Sequence, residues 1–85
     1  MQVIKTKDFD KQLVLMPSRI RLLFAKQEAI FLTNLRDSRL HLSKIFAMES
    51  VFSFRITKNY RCLFYFYQDD IAVFFAVDHR KDVYR

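Results

Sequence analysis

The last third of the chain alternates apolar and polar positions with a period of two. Phe52, Phe54 and Ile56 fall on one face of an extended segment, opposite Ser53, Arg55 and Thr57, as a half-buried strand requires. Cys62, Phe64 and Phe66 repeat the pattern opposite Arg61, Leu63, Tyr65 and Tyr67. After the turn residues Gln68-Asp69-Asp70, the set Ile71, Val73, Phe75 and Val77 forms a third apolar face opposite Ala72, Phe74 and Ala76. Three consecutive antiparallel strands follow from these runs.

Upstream, the period changes. Ile20, Leu23, Phe24, Gln27, Ile30, Phe31, Asn34 and Leu35 recur at steps of three and four, which predicts an amphipathic helix whose apolar stripe packs on a core. Pro17 precedes it, and a proline fits the first turn of a helix far better than its interior. Phe9, Leu13 and Val14 predict a shorter helix capped by Asp8, and Gln2 to Thr6 a short first strand. Between the polar exit Arg36-Asp37-Ser38-Arg39 and the sheet lies a connector, Leu40 to Glu49, with expected apolar anchors at Leu40, Leu42, Ile45 and Phe46. A turn of helix suits it. The expected architecture is α+β: β-α-α-β-β-β, a helical hairpin on one face of a mostly antiparallel four-stranded sheet, in a single domain spanning 1–85.

Strand parity makes a sharper statement about the second and third strands. Their apolar faces coincide only if the connecting loop has odd length, and Thr57-Lys58-Asn59 satisfies this, with Asn59 the residue best able to adopt a left-handed backbone. Arg55 then stands directly opposite Arg61. Like charges opposed across a sheet repel, so folding alone gives no reason for the pair, whereas a bound anion does. With Phe66 paired to Ile71, the same register sets Ala76 beside Arg61 and carries Arg80 toward the loop. The result is a floor of Leu63, Tyr65, Phe74 and two alanines, ringed at one end by Arg55, Arg61 and Arg80.

Composition adds an electrostatic bias. Fifteen Lys and Arg against nine Asp and Glu give a formal charge of +6 over 85 residues, which favours nucleic acid or an acidic polypeptide as partner. Ten Phe and four Tyr supply an aromatic core, and glycine is absent, so every turn is built from other residues. The single cysteine, Cys62, cannot form an internal disulfide, and His41 and His79 add too few ligands for a zinc site. No run is long enough to span a bilayer, so a cytoplasmic protein without membrane contact, metal or cofactor is expected.

Three guanidinium groups with a histidine and a tyrosine nearby suit cleavage of RNA by its own 2′-hydroxyl. That reaction needs charge stabilisation on the pentavalent phosphorane, a base for the 2′-hydroxyl and an acid for the leaving 5′-oxygen. Arginine provides the first through paired N–H donors. His79 suits acid–base work near neutral pH, although strand parity starts it on the buried face, where a structural role is open to it. Tyr84 fits either a proton donor or a packing anchor, and Arg55 either an anion contact or a partner for Asp82. Lys44, Lys58, Lys81 and Arg85 suit holding a polyanion.

The segments Phe52-Ser53-Phe54-Arg55-Ile56-Thr57-Lys58-Asn59-Tyr60-Arg61 and Asp78-His79-Arg80-Lys81-Asp82-Val83-Tyr84-Arg85 resemble those of the RelE/ParE toxin superfamily of type II toxin–antitoxin systems. The helix entry Leu15-Met16-Pro17 and the Leu40 to Ile45 connector fit the same pattern. For the RelE branch, the resemblance implies a metal-independent endoribonuclease that cuts mRNA in the ribosomal A site, with Arg55, Arg61, Arg80 and Tyr84 in the active site and His79 as a variable addition. It also implies a cognate antitoxin with an acidic segment that wraps the toxin, and hence a hetero-oligomer. The alternative within the superfamily is a ParE-like toxin, which inhibits DNA gyrase by binding and lacks the catalytic set.

Overall fold

The computed structural model describes residues 1–79 and contains a five-stranded sheet where four strands are expected from sequence. In chain order the elements are β1 (Gln2–Lys5), α1 (Lys7–Val14), α2 (Ser18–Thr33), β2 (Ser43–Lys44), β3 (Phe52–Arg55), β4 (Tyr60–Gln68) and β5 (Ile71–His79). The strands lie in the order β1-β5-β4-β3-β2. Every neighbouring pair is antiparallel except β1 with β5. The additional strand comes from the connector, where Ser43 pairs with Ser53 and Lys44 with Phe52. Two residues are too few to show an alternation, which is why no pattern marks this strand.

Local chemistry sets the helix ends. Thr6, not Asp8, caps α1: its backbone is extended and its Oγ1 accepts a hydrogen bond from the Phe9 N–H at 3.1 Å. Asp8 lies with Asp10 in the first turn, where a carboxylate favours the positive end of the helix. Pro17 immediately precedes α2, as its missing N–H and fixed φ dictate. The Arg21 guanidinium closes the bend between the helices by donating to the Met16 carbonyl at 2.6 Å and the Val14 carbonyl at 3.2 Å.

The helices cover one face of the sheet through an aromatic core. Phe9, Phe24 and Phe31 from the helices bury against Phe54, Phe64 and Phe74 from β3, β4 and β5. Phe31 is central, its ring 5.2, 5.1 and 5.1 Å from those of Phe54, Phe64 and Phe74. Each such side chain gains roughly 1.5–3 kcal/mol on full burial, and the edge-on contacts add to that. At its margin, Lys5 pairs with Glu28 at 2.8 Å and sits over the Phe24 ring.

Cys62 is completely enclosed in this core, and burial pushes its thiol well above the ordinary range, with the Glu28 carboxylate adding to the shift. Because the thiolate is the reactive form, Cys62 is expected to react with iodoacetamide only as fast as the fold opens. Labelling of the native protein at the rate of the urea-unfolded chain would contradict this burial.

β5 corrects the expected register. Its apolar face toward the helices begins with Ala72 and Phe74, not Val73 and Phe75, and Phe66 pairs with Ala72 while Ile71 pairs with Gln68. Two irregularities, between Leu63 and Phe64 and between Phe66 and Gln68, shift the ladder. A bulge inserts an unpaired residue and exchanges the faces beyond it, so Val77 returns to the helix side. Arg61 therefore stands opposite Asp78, and Ala76 opposite Leu63.

The second face is not bare. Ile45, Val51 and Leu63 form a smaller buried cluster joined by Phe75 and Ala76, and Ser53 is buried beside them. Pairing of the connector with β3, extended by the Ile45 N–H donating to the Val51 carbonyl at 2.8 Å, draws Ile45 inward. Of the four expected anchors only Leu40 and Ile45 are buried; Leu42 is exposed, and Phe46 is entirely so. Among the described residues, no helix is long and apolar enough to cross a membrane.

Candidate functional site

The hairpin between β3 and β4 sets the geometry of a strongly cationic concavity. Arg55 pairs with Arg61 as the loop parity requires. Thr57 Oγ1 accepts from the N–H groups of Asn59 and Tyr60, both at 3.2 Å, and the Ile56 N–H donates to the Tyr60 carbonyl at 2.9 Å. This side-chain clamp makes a left-handed Asn59 unnecessary: among the described residues, those with positive φ are His41 and Ser50.

Arg55, Arg61 and Lys58 line a pocket of about 120 Å³, with Thr57, Asn59 and Tyr60 from the hairpin and Ser43, Ser53 and His41 closing the far side. Room for a phosphate group and its oxygens is available there. Arg55 and Arg61 are both half-buried, and Nε and Nη2 of Arg61 are shielded from solvent. Ser43 and Ser53 bring their hydroxyls to 3.3 Å from one another. The row Arg55, Arg61, Asp78 across β3, β4 and β5 puts one carboxylate beside two guanidinium groups. The row thus retains a net positive charge, and the low dielectric of a half-buried site strengthens its attraction for an anion.

One amide holds both walls of this pocket. Gln27 is buried on α2, and its Nε2 donates to the Arg39 carbonyl at 2.9 Å and to the Arg55 carbonyl at 2.7 Å. Arg39 belongs to a 3₁₀ turn, Ser38–Leu40, capped by Asp37. The Asp37 carboxylate accepts from the Arg39 backbone N–H at 2.9 Å and from its guanidinium at 3.0 and 2.8 Å; these contacts hold the Asp37 carboxyl at about 2. His41 ends the turn in a left-handed backbone, φ 46° and ψ 48°, at a cost of roughly 1–2 kcal/mol for a side chain with a Cβ.

The residues expected to form a site divide into three groups. Arg55, Arg61 and Lys58 share the pocket, and Lys44 lies exposed on β2 next to Ser43. His79 takes the helix side of the sheet: it pairs with Tyr60, and the two rings meet edge-on at 5.0 Å. Arg80, Lys81, Tyr84 and Arg85, with Asp82, lie outside the described residues. The expected floor does not form, because Ala72 and Phe74 turn to the helices and Leu63 is covered. Sequence reading missed His41, Ser43 and Ser53 as site residues, and only an edge pairing of the connector would have indicated them.

No family model matches the chain, and no curated protein matches it in sequence. Solved structures do match its fold. The RelB-RelE antitoxin–toxin complex from Methanococcus jannaschii contains a chain with a TM-score of 0.76 and 25% identity, covering 95% of this chain and 94% of that one. The RelBE2 toxin–antitoxin complex from Mycobacterium tuberculosis gives 0.65 and 27% over 93% and 96%. A YoeB/ParE toxin from Agrobacterium tumefaciens gives 0.77 over 94% and 99%, at 10% identity.

Proposed function

We propose that this chain, whose fold is that of the RelE-like toxins, is the toxin of a toxin–antitoxin pair, acting as a ribosome-dependent mRNA endonuclease. The observation that carries this reading is the opposed pair Arg55 and Arg61 at a pocket of phosphate size. In the proposed reaction the 2′-oxygen attacks the adjoining phosphorus and the 5′-oxygen departs. Arg55 and Arg61 stabilise the charge that builds on the equatorial oxygens, where paired N–H donors act most strongly. Lys58 and Lys44 hold the flanking phosphates, and Arg80 and Tyr84 belong to the same site in this reading. No step requires a metal ion.

A partner follows from the same premise. RelB accompanies RelE in the M. jannaschii structure, and the +6 charge of this chain favours an antitoxin whose toxin-binding segment is acidic. The place of action is the cytoplasm, where ribosomes translate.

The test is induction of the protein in cells with mapping of new mRNA 5′ ends, run beside a gyrase supercoiling assay. Breaks within translated codons are the expected result. Gyrase inhibition without breaks would replace the nuclease reading with that of a ParE-like toxin.

A further inference from the structure

We propose that His41 is the general base of this cleavage, a role that rests on the nuclease reading above. Of the side-chain types lining the pocket, imidazole alone exchanges a proton in the neutral range. Arginine and lysine remain cationic, and the tyrosine, serine, threonine and asparagine groups serve as hydrogen-bond partners at neutral pH. His41 is also placed with care by the fold. Its N–H donates to the Ser38 carbonyl at 3.2 Å, and the Arg39 carbonyl is gripped by the same Gln27 nitrogen that holds Arg55. His41 and Arg55 thus line one pocket, and a single amide holds both the Arg39 carbonyl, two residues before His41, and the carbonyl of Arg55 itself. A left-handed backbone at a histidine, where asparagine or glycine fits with less strain, is a strained position of the kind that clusters at active sites.

In the step proposed, the neutral imidazole takes the proton of the 2′-hydroxyl as the 2′-oxygen bonds to phosphorus. The bond from phosphorus to the 5′-oxygen breaks, its electron pair leaving on that oxygen, which a water molecule protonates. The hydroxide so formed takes the proton back from the imidazolium. The products are a 2′,3′-cyclic phosphate and a 5′-hydroxyl end. The charged groups that line the pocket with His41 are Arg55 on β3, Lys58 in the hairpin and Arg61 on β4; Lys44 follows Ser43 on β2, and Asp78 on β5 pairs with Arg61.

The test uses the full chain with ribosomes programmed by mRNA, under single-turnover conditions. His41→Asn and His41→Gly both suit the left-handed backbone with less strain, so neither variant should unfold at a lower temperature than the wild type. Cleavage is expected to fall about 100-fold, the rising limb of the pH–rate profile to disappear, and added imidazole to restore part of the activity of His41→Gly. A substrate with sulfur in place of the departing 5′-oxygen, which needs no protonation to leave, should not rescue either variant. Wild-type rates in both variants overturn the proposal, and rescue by the sulfur substrate overturns the role of base. A wild-type protein that cuts no mRNA removes the nuclease reading itself, a result distinct from either.

Discussion

Replacing Arg61 by alanine is expected to lower single-turnover cleavage of ribosome-bound mRNA by roughly 10²- to 10³-fold, the loss of about 3–4 kcal/mol of transition-state stabilisation. Arg61 stands between Arg55 and Asp78 on the central strand of the row, with two of its guanidinium nitrogens shielded from solvent. A donor already stripped of water and held in place contributes most when charge develops next to it. Arg61→Lys keeps the charge but not the paired donors, and should fall between wild type and alanine. Binding to ribosomes should change far less than the rate. The measurement is the cleavage time course on a defined message, with circular dichroism to verify the sheet; cleavage by Arg61→Ala at the wild-type rate would remove the pocket from the mechanism.

The second large effect belongs to Gln27, which does not itself line the pocket. Gln27→Met keeps the volume and removes the donor, leaving the Arg39 and Arg55 carbonyls without the bonds seen at 2.9 and 2.7 Å. A fully buried acceptor left unsatisfied costs about 1–3 kcal/mol, and both of these bonds are only part-buried, so a combined loss of about 1–3 kcal/mol is expected, read from the urea midpoint at unchanged slope. Activity should drop as well, because the same amide fixes the turn that carries His41 relative to β3. Stability equal to the wild type in Gln27→Met would show that the two carbonyls find other donors.

Where a residue's role follows from its immediate neighbours, the sequence was sufficient. The period of α2 marked Ile20, Phe24, Gln27 and Phe31, all buried, and loop parity alone set Arg55 opposite Arg61. The register of β5 was not legible, because a bulge adds a residue without any compositional mark. That hid the placement of Asp78 beside Arg61 and the turning of Phe74 toward the helices. His41 escaped notice for a different reason. Its place at the pocket depends on a two-residue strand pairing Ser43 with Ser53, a contact between segments ten residues apart with no periodicity to announce it. Gln27 falls within the apolar stripe of α2, and its polar end is the fastening between connector and sheet.

The short strand β2 has one more consequence, for how the molecule avoids its own kind. A sheet with this many phenylalanines would, with a long open margin, offer a template on which further copies could stack into fibrils. Here the margins are Ser43–Lys44 on one side and Gln2–Lys5 on the other. Each presents few free backbone groups and carries a lysine. Lengthening the first margin, by replacing Lys44 with valine and drawing residues 46–50 into a continuous strand, would expose the chain to aggregation.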